Sequence, residues 1–253
     1  MNRHINLRKI LFVLGILVFI NPQFSRAQWN NQFSNTKGIG LGLTLKGNGF
    51  GLAFQKNSIT RAFNLQRTFS IDLVTAKHSR EFKIVNQGGA QNPAPYVYGK
   101  IYHTAFARFG YGYRKTLIKP TQSNTLGIDL MVVTGPTIGI QRPVYLDIMT
   151  FEMNDQVATI RSQKFIDDVN IKQDDIVGYS RASKGWNELK YTIGVGLKPS
   201  INIYWGSFET TVKQLNIGTM IDYFPSGIRM MSFGENPNTY AKPYLSFLWS
   251  FSR

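Results

Sequence analysis

From Gly38 onward, bulky apolar and small residues alternate one by one. Ile39, Leu41, Leu43 and Leu45 oppose Gly38, Gly40, Gly42 and Thr44; past Gly47-Asn48, Phe50, Leu52 and Phe54 oppose Gly49, Gly51 and Ala53. A period of two is the period of a strand. Asn48-Gly49 between the two runs is a turn signal, so the stretch predicts a tight hairpin whose strands each have one bulky and one tiny face. A dinucleotide-binding glycine loop would need a helix next and an acid about twenty residues on. No helical period follows, so these glycines are one face of a sheet.

The same pattern recurs along the chain. Phe69, Ile71 and Leu73 oppose Ser70 and Asp72, and Phe109, Tyr111 and Tyr113 oppose Arg108, Gly110, Gly112 and Arg114. Leu130, Val132, Ile138 and Ile140 oppose Asp129, Gly135, Thr137 and Gln141, while Ile193, Val195, Leu197 and Ile201 oppose Gly194, Gly196, Lys198 and Ser200. Ile217 and Ile221 face away from Asn216 and Asp222, and Leu245, Phe247, Trp249 and Phe251 from Ser246 and Ser250. Eight strands are predicted, near 38–46, 48–57, 67–77, 101–117, 125–141, 190–204, 211–224 and 243–252. The second, fourth and sixth connections are short. The third, fifth and seventh (78–100, 142–189 and 225–242) are long, and only the first hairpin breaks the alternation.

A soluble sandwich or lipocalin-like barrel would wet its polar face with Lys, Glu and Thr. Here that face is mostly Gly, Ser, Asn and Thr, which suits the cramped interior of a narrow barrel, while the aliphatic and aromatic face suits lipid. Tyr111, Tyr113, Tyr191, Trp205 and Trp249 fit an interfacial girdle. The fold class expected is all-β: a transmembrane antiparallel up-and-down β-barrel of about eight strands. The runs around 145–151 and 156–165 form a further hairpin, expected to stand above the membrane; inserted in the wall, they would make ten strands.

Composition narrows the setting. Arg3, Arg8 and Lys9 precede the apolar run Ile10–Ile20, then small residues at Ser25 and Ala27. That is the layout of a secretory signal peptide, expected to be cleaved so that 28–253 is the mature barrel. The run is shorter than the roughly twenty residues a spanning helix needs. The chain has no cysteine and a net charge of +15, falling to +11 as Arg3, Arg8, Lys9 and Arg26 leave with the signal. Such a balance often means nucleic acid, but export argues against it and points to phosphate-bearing lipid and lipopolysaccharide.

"YGKIYHTAFARFGYGYRKTL", "GPTIGIQRPVYLDI", "INIYWGSFE" and the closing "PYLSFLWSFSR" resemble small outer-membrane barrels of the OmpA/OmpX type. More narrowly they resemble an uncharacterised Bacteroidota family near the PorT-like barrels associated with type IX secretion. The resemblance implies a Gram-negative outer-membrane address and a place in secretion or assembly; it transfers no catalytic residue. The chain departs from the usual ending on an aromatic, because Ser252 and Arg253 follow Phe251.

Seven strand charges point inward on this parity: Lys46, Asp72, Arg108, Arg114, Asp129, Lys198 and Asp222. Charges inside a narrow barrel must be paired or solvated, so four bases and three acids predict a cross-braced plug in preference to a pore. "KHSRE" (77–81) holds His78, Ser79 and Glu81, residue types of a serine hydrolase, and some small outer-membrane barrels do modify lipid A at this height. Neighbouring strand residues face opposite ways, however, which argues against a relay. His103 is expected to face lipid head groups.

Segment 142–189 carries eight of the fourteen acids, yet "DDVNIKQDD" lacks the spacing of a calcium loop. Its aromatics Phe151, Phe165, Tyr179 and Trp186 predict a folded extracellular cap or docking surface, with 78–100 beside it. The expectation is a non-enzymatic barrel, without metal or cofactor, docking other outer-membrane or surface proteins in a complex. A lipid-modifying enzyme and a solitary structural barrel are the alternatives.

Overall fold

The computed structural model describes residues 38–59, 65–85, 94–120, 125–151, 158–165, 171, 173–207, 211–233 and 236–252. The segment expected to be a signal peptide lies outside them.

Eight strands close a barrel: β1 (Gly38–Lys46), β2 (Gly49–Ile59), β3 (Leu65–Ala76), β4 (Tyr102–Ile118), β5 (Gly127–Pro143), β9 (Lys190–Ser207), β10 (Thr211–Tyr223) and β11 (Thr239–Ser252). Each pairs antiparallel with its neighbours in the order β1-β11-β10-β9-β5-β4-β3-β2. Closure comes from β1 against β11, in register from Gly38↔Ser252 to Lys46↔Tyr244, so neither terminal strand is left with an open edge. Between β5 and β9 the chain makes β6 (Tyr145–Phe151), β7 (Ala158–Lys164) and β8 (Ile176–Tyr179), a separate sheet ordered β7-β6-β8. The barrel therefore has eight strands and not ten, and the extra hairpin belongs to another sheet.

The barrel wall is inverted relative to a soluble protein. Its outward positions are large and exposed: Ile39, Leu41, Leu43 and Leu45 on β1, Leu130 and Val132 on β5, Ile193 (73 % exposed), Val195 and Leu197 on β9, and Trp249 and Phe251 on β11. Its inward positions are polar and buried: Thr44, Gln55, Asn57, Thr68, Ser70, Thr137, Asn202, Asn216, Ser246 and Ser250. Glycine lets the strands coil closely where it faces inward. A Cβ on Gly42 would lie 1.9 Å from the Phe247 carbonyl oxygen, and one on Gly112 would lie 2.0 Å from that of Val132.

The two ends of the barrel differ. At one end the connections are short (60–64, 119–126 and 208–210). At the other they are long, apart from the two-residue turn Gly47-Asn48. There Phe106 on β4 meets Phe224 and Tyr240, with Ile228, Met230 and Met231 of the 224–238 connection packed against them. Tyr240 donates its hydroxyl to the Ile228 carbonyl at 3.0 Å and Gln141 donates its amide to that of Arg229 at 2.8 Å, so this connection lies over the barrel mouth. A second apolar cluster joins Tyr96 and Ile101 to Val144, Leu146, Ile148, Phe165, Ile171 and Ile176, tying the β6–β8 sheet to the chain that enters β4.

Candidate functional site: the lumen and its cap

All seven inward charges are buried, and each has an opposite charge beside it. Asp222 on β10 accepts two hydrogen bonds from Arg108 on β4, Nε to Oδ1 and Nη2 to Oδ2, both 2.5 Å. Lys46 on β1 reaches the same carboxylate at 3.4 Å, and Thr137 donates to Oδ1 at 3.4 Å. Lys198 on β9 donates to both oxygens of Asp72 on β3, at 2.7 and 2.9 Å. Arg114 lies 3.4 Å from Asp129 on the adjacent β5 and donates to Gln214 Oε1 at 2.9 Å. The Asp222 and Asp72 pairs cross the lumen between strands that are not neighbours in the sheet, and so brace opposite walls.

Four cations against three acids leave one positive charge over. Aromatic faces take part of that load: Lys46 and Arg108 stand 5.0 and 5.6 Å from the Phe106 ring, and Lys198 stands 5.0 Å from Tyr244. Toward the short-loop end a chain of uncharged amides takes over. Gln214 donates to Asn216, Asn216 to Gln55 at 3.3 Å, Gln55 to Asn57 at 3.0 Å, and Thr68 to Asn57 at 3.1 Å. From mouth to base the lumen thus holds an apolar layer, then the Asp222 and Asp72 ion pairs, then an amide layer with the Arg114–Asp129 pair set among its amides. Sequence reasoning set Asn216 and the other small polar residues inward but missed the large apolar residues of the lumen: Phe106, Tyr244 and Leu248 interrupt the small inward face, and nothing local marks them as stoppers.

The four aromatics expected to meet partners have different fates. Phe165 is 1 % exposed at the centre of the cap cluster, so it holds the cap together and cannot itself touch a partner. Tyr179 is half-buried, and its hydroxyl accepts the Val97 N–H at 3.0 Å; burial pushes its phenol up to about 12. Trp186 is 59 % exposed and donates to the Ala182 carbonyl at 3.0 Å, with the Arg142 guanidinium 5.1 Å from its ring. Phe151 ends β6, and its side chain lies outside the described residues. His103, expected at the head groups, packs against the Tyr179 ring at 5.6 Å.

The 77–81 turn is tied up largely in local and ion-pair bonds. His78 Nδ1 accepts the Arg80 N–H at 3.2 Å, and Glu81 accepts the His78 N–H at 2.8 Å and Lys100 Nζ at 2.5 Å. The Glu81 carboxylate is thus held by a backbone amide and a buried ion pair, and His78 Nδ1 by the backbone. Of the acidic run 167–175, Asp174 and Asp175 lie in a short 3-10 turn (Gln173–Asp175) and the others fall outside the described residues. Among the described residues no three His, Asp or Glu side chains come together as a metal site would need.

No family model matches the sequence, and no curated protein aligns with it. Among solved structures, Ail, the attachment invasion locus protein of Yersinia pestis, superposes with a TM-score of 0.33 at 7 % identity. The match covers 85 % of this chain and 95 % of that one. At that level of likeness the fold rests on the strand pairing above and not on the superposition.

Proposed function

We propose that this chain is a non-enzymatic integral outer-membrane β-barrel. In this reading it is exported on a cleaved signal peptide, set in lipid and lipopolysaccharide, and closed along its lumen. The inverted wall is the observation that carries the reading. A belt of Ile, Leu, Val and aromatic side chains around a closed barrel is costly in water at about 25 cal/mol per Å2, and lipid removes that cost. Small outer-membrane barrels of this strand number fill their interior with side chains, and the ion-paired layer supports a plug over a pore.

The barrel then serves as an anchor for its cap, which docks other outer-membrane or surface proteins in a secretion or assembly complex. The β6–β8 sheet supports this, because it is larger than connecting β5 to β9 requires. Ile160 of this sheet, and Trp186 of the 3-10 turn Trp186–Glu188 that follows it in the chain, are exposed to solvent. The resemblance to barrels near the PorT-like group makes type IX secretion the first complex to examine. Affinity purification from the native outer membrane in a gentle detergent is the test. Stoichiometric partners that disappear when 145–179 is deleted are expected; a lone barrel at monomer mass rejects the docking role.

A further inference from the structure

The first hairpin leaves a gap in the rim. Every other connection at the cap end is long, but Gly47-Asn48 alone joins β1 to β2, so the wall is lowest there. Between this turn and the chain leaving β3 runs an open groove of about 470 Å3. Leu45 and Phe50 form its apolar side, and Asn48, Lys77, His78 and Glu81 form its polar side. Leu45 and Phe50 are 60 % and 65 % exposed and continue the outward apolar faces of β1 and β2. The groove therefore begins on the belt and ends in polar groups, as a lipid does.

Its charge is also suited to an anion. The acid in the lining, Glu81, is neutralised by Lys100 and by the His78 N–H. Lys77 is exposed, and Asn48 donates its amide to the Lys77 carbonyl at 3.4 Å, holding turn and strand end together. A lysine ammonium on a flexible stem at this height is a phosphate contact.

We propose that the groove binds the phosphoryl head group of a membrane lipid, with the phosphate against Lys77 and an acyl chain along Leu45 and Phe50. This rests on the outer-membrane reading. It gives the 77–81 cluster a binding role in place of a catalytic one.

The test is native mass spectrometry of the full chain in detergent, with phosphatidylglycerol, phosphatidylcholine or inorganic phosphate added separately. Wild type is expected to retain one phosphatidylglycerol in preference to phosphatidylcholine. Lys77→Gln should weaken retention about fivefold, the worth of one interfacial charge. Asn48→Asp, which puts an anion in the groove, should do the same, whereas Lys184→Gln, a solvent-exposed lysine on the cap, should change nothing. Unaltered retention in both groove variants, or retention of inorganic phosphate in place of lipid, overturns the proposal. Folding of each variant is read independently by heat-modifiable gel mobility. Failure of the wild type to insert into vesicles would reject the outer-membrane reading itself, whereas normal insertion with unaltered retention would reject only the groove.

Discussion

Asp222 holds two cations across the lumen, and that makes it the residue whose removal is most damaging. Asp222→Leu leaves Lys46 and Arg108 buried without their carboxylate, and one orphaned buried charge typically costs about 3–5 kcal/mol. Reversible urea unfolding in vesicles should show a loss of that size. Replacing both members of the other cross-lumen pair, Asp72→Leu with Lys198→Met, removes charge and countercharge together and should leave stability within about 1 kcal/mol of wild type. Glycine supplies a second contrast. Gly42→Ala drives a methyl into the Phe247 carbonyl at 1.9 Å, so it should cost more than the roughly 1–3 kcal/mol of ordinary overpacking. At Gly47 the nearest neighbour would be Pro243 Cδ at 3.7 Å, and Gly47→Ala should stay within about 0.5 kcal/mol. At this scale the sequence was legible where small and large residues alternate strictly. Asp72 lies between Ile71 and Leu73, and Lys198 follows Leu197, so their facing followed from period alone. Phe106 lies between two alanines, Ala105 and Ala107, so the inward face is the bulky one there. Only the distant chain that meets it, Phe224 and Tyr240, explains why.

Among the elements, the strands were readable and the cap was only partly so. A strand's period is local, and large apolar side chains outside with small polar ones inside sharpen the contrast between faces. Among the described residues, the cap is assembled from parts of 94–101, 144–179 and the 224–238 connection, whose contacts span long sequence distances that no local pattern records. Phe165 illustrates the consequence: an aromatic in a long loop suggests a docking anchor, but here it is the loop's own core. Phe165→Ala should destabilise the cap by about 3–5 kcal/mol. Hydrogen exchange should then speed up in β6–β8 and leave β9–β11 unchanged. The cap also has a pH dependence of its own. Glu188 accepts Lys164 Nζ at 2.6 Å and the Tyr145 hydroxyl at 2.8 Å, and those bonds hold its carboxyl below the usual glutamate value. A lowered folded value means the clasp contributes at neutral pH and is lost as the pH falls through that value. Protection factors in β6 and β7, corrected for the intrinsic exchange rate at each pH, should therefore fall in acid for wild type, and Glu188→Gln should abolish the difference.

For the whole molecule, the account turns on which side of the wall meets lipid. An ion-paired, amide-lined interior and an apolar exterior make one consistent object only if the exterior is in a bilayer. The absence of cysteine allows single labels to be placed without background. A nitroxide scan along β9 of the barrel reconstituted in lipid vesicles, residues 191 to 203, is the most direct measurement. Labels at Ile193, Val195, Leu197 and Ile201 should be relaxed by oxygen and shielded from a water-soluble nickel complex, with labels at the alternating positions Thr192, Gly194 and Ser200 immobilised and reached by neither. Nickel access equal to oxygen access at 193, 195 and 197 would contradict the account, because it would put that face in water.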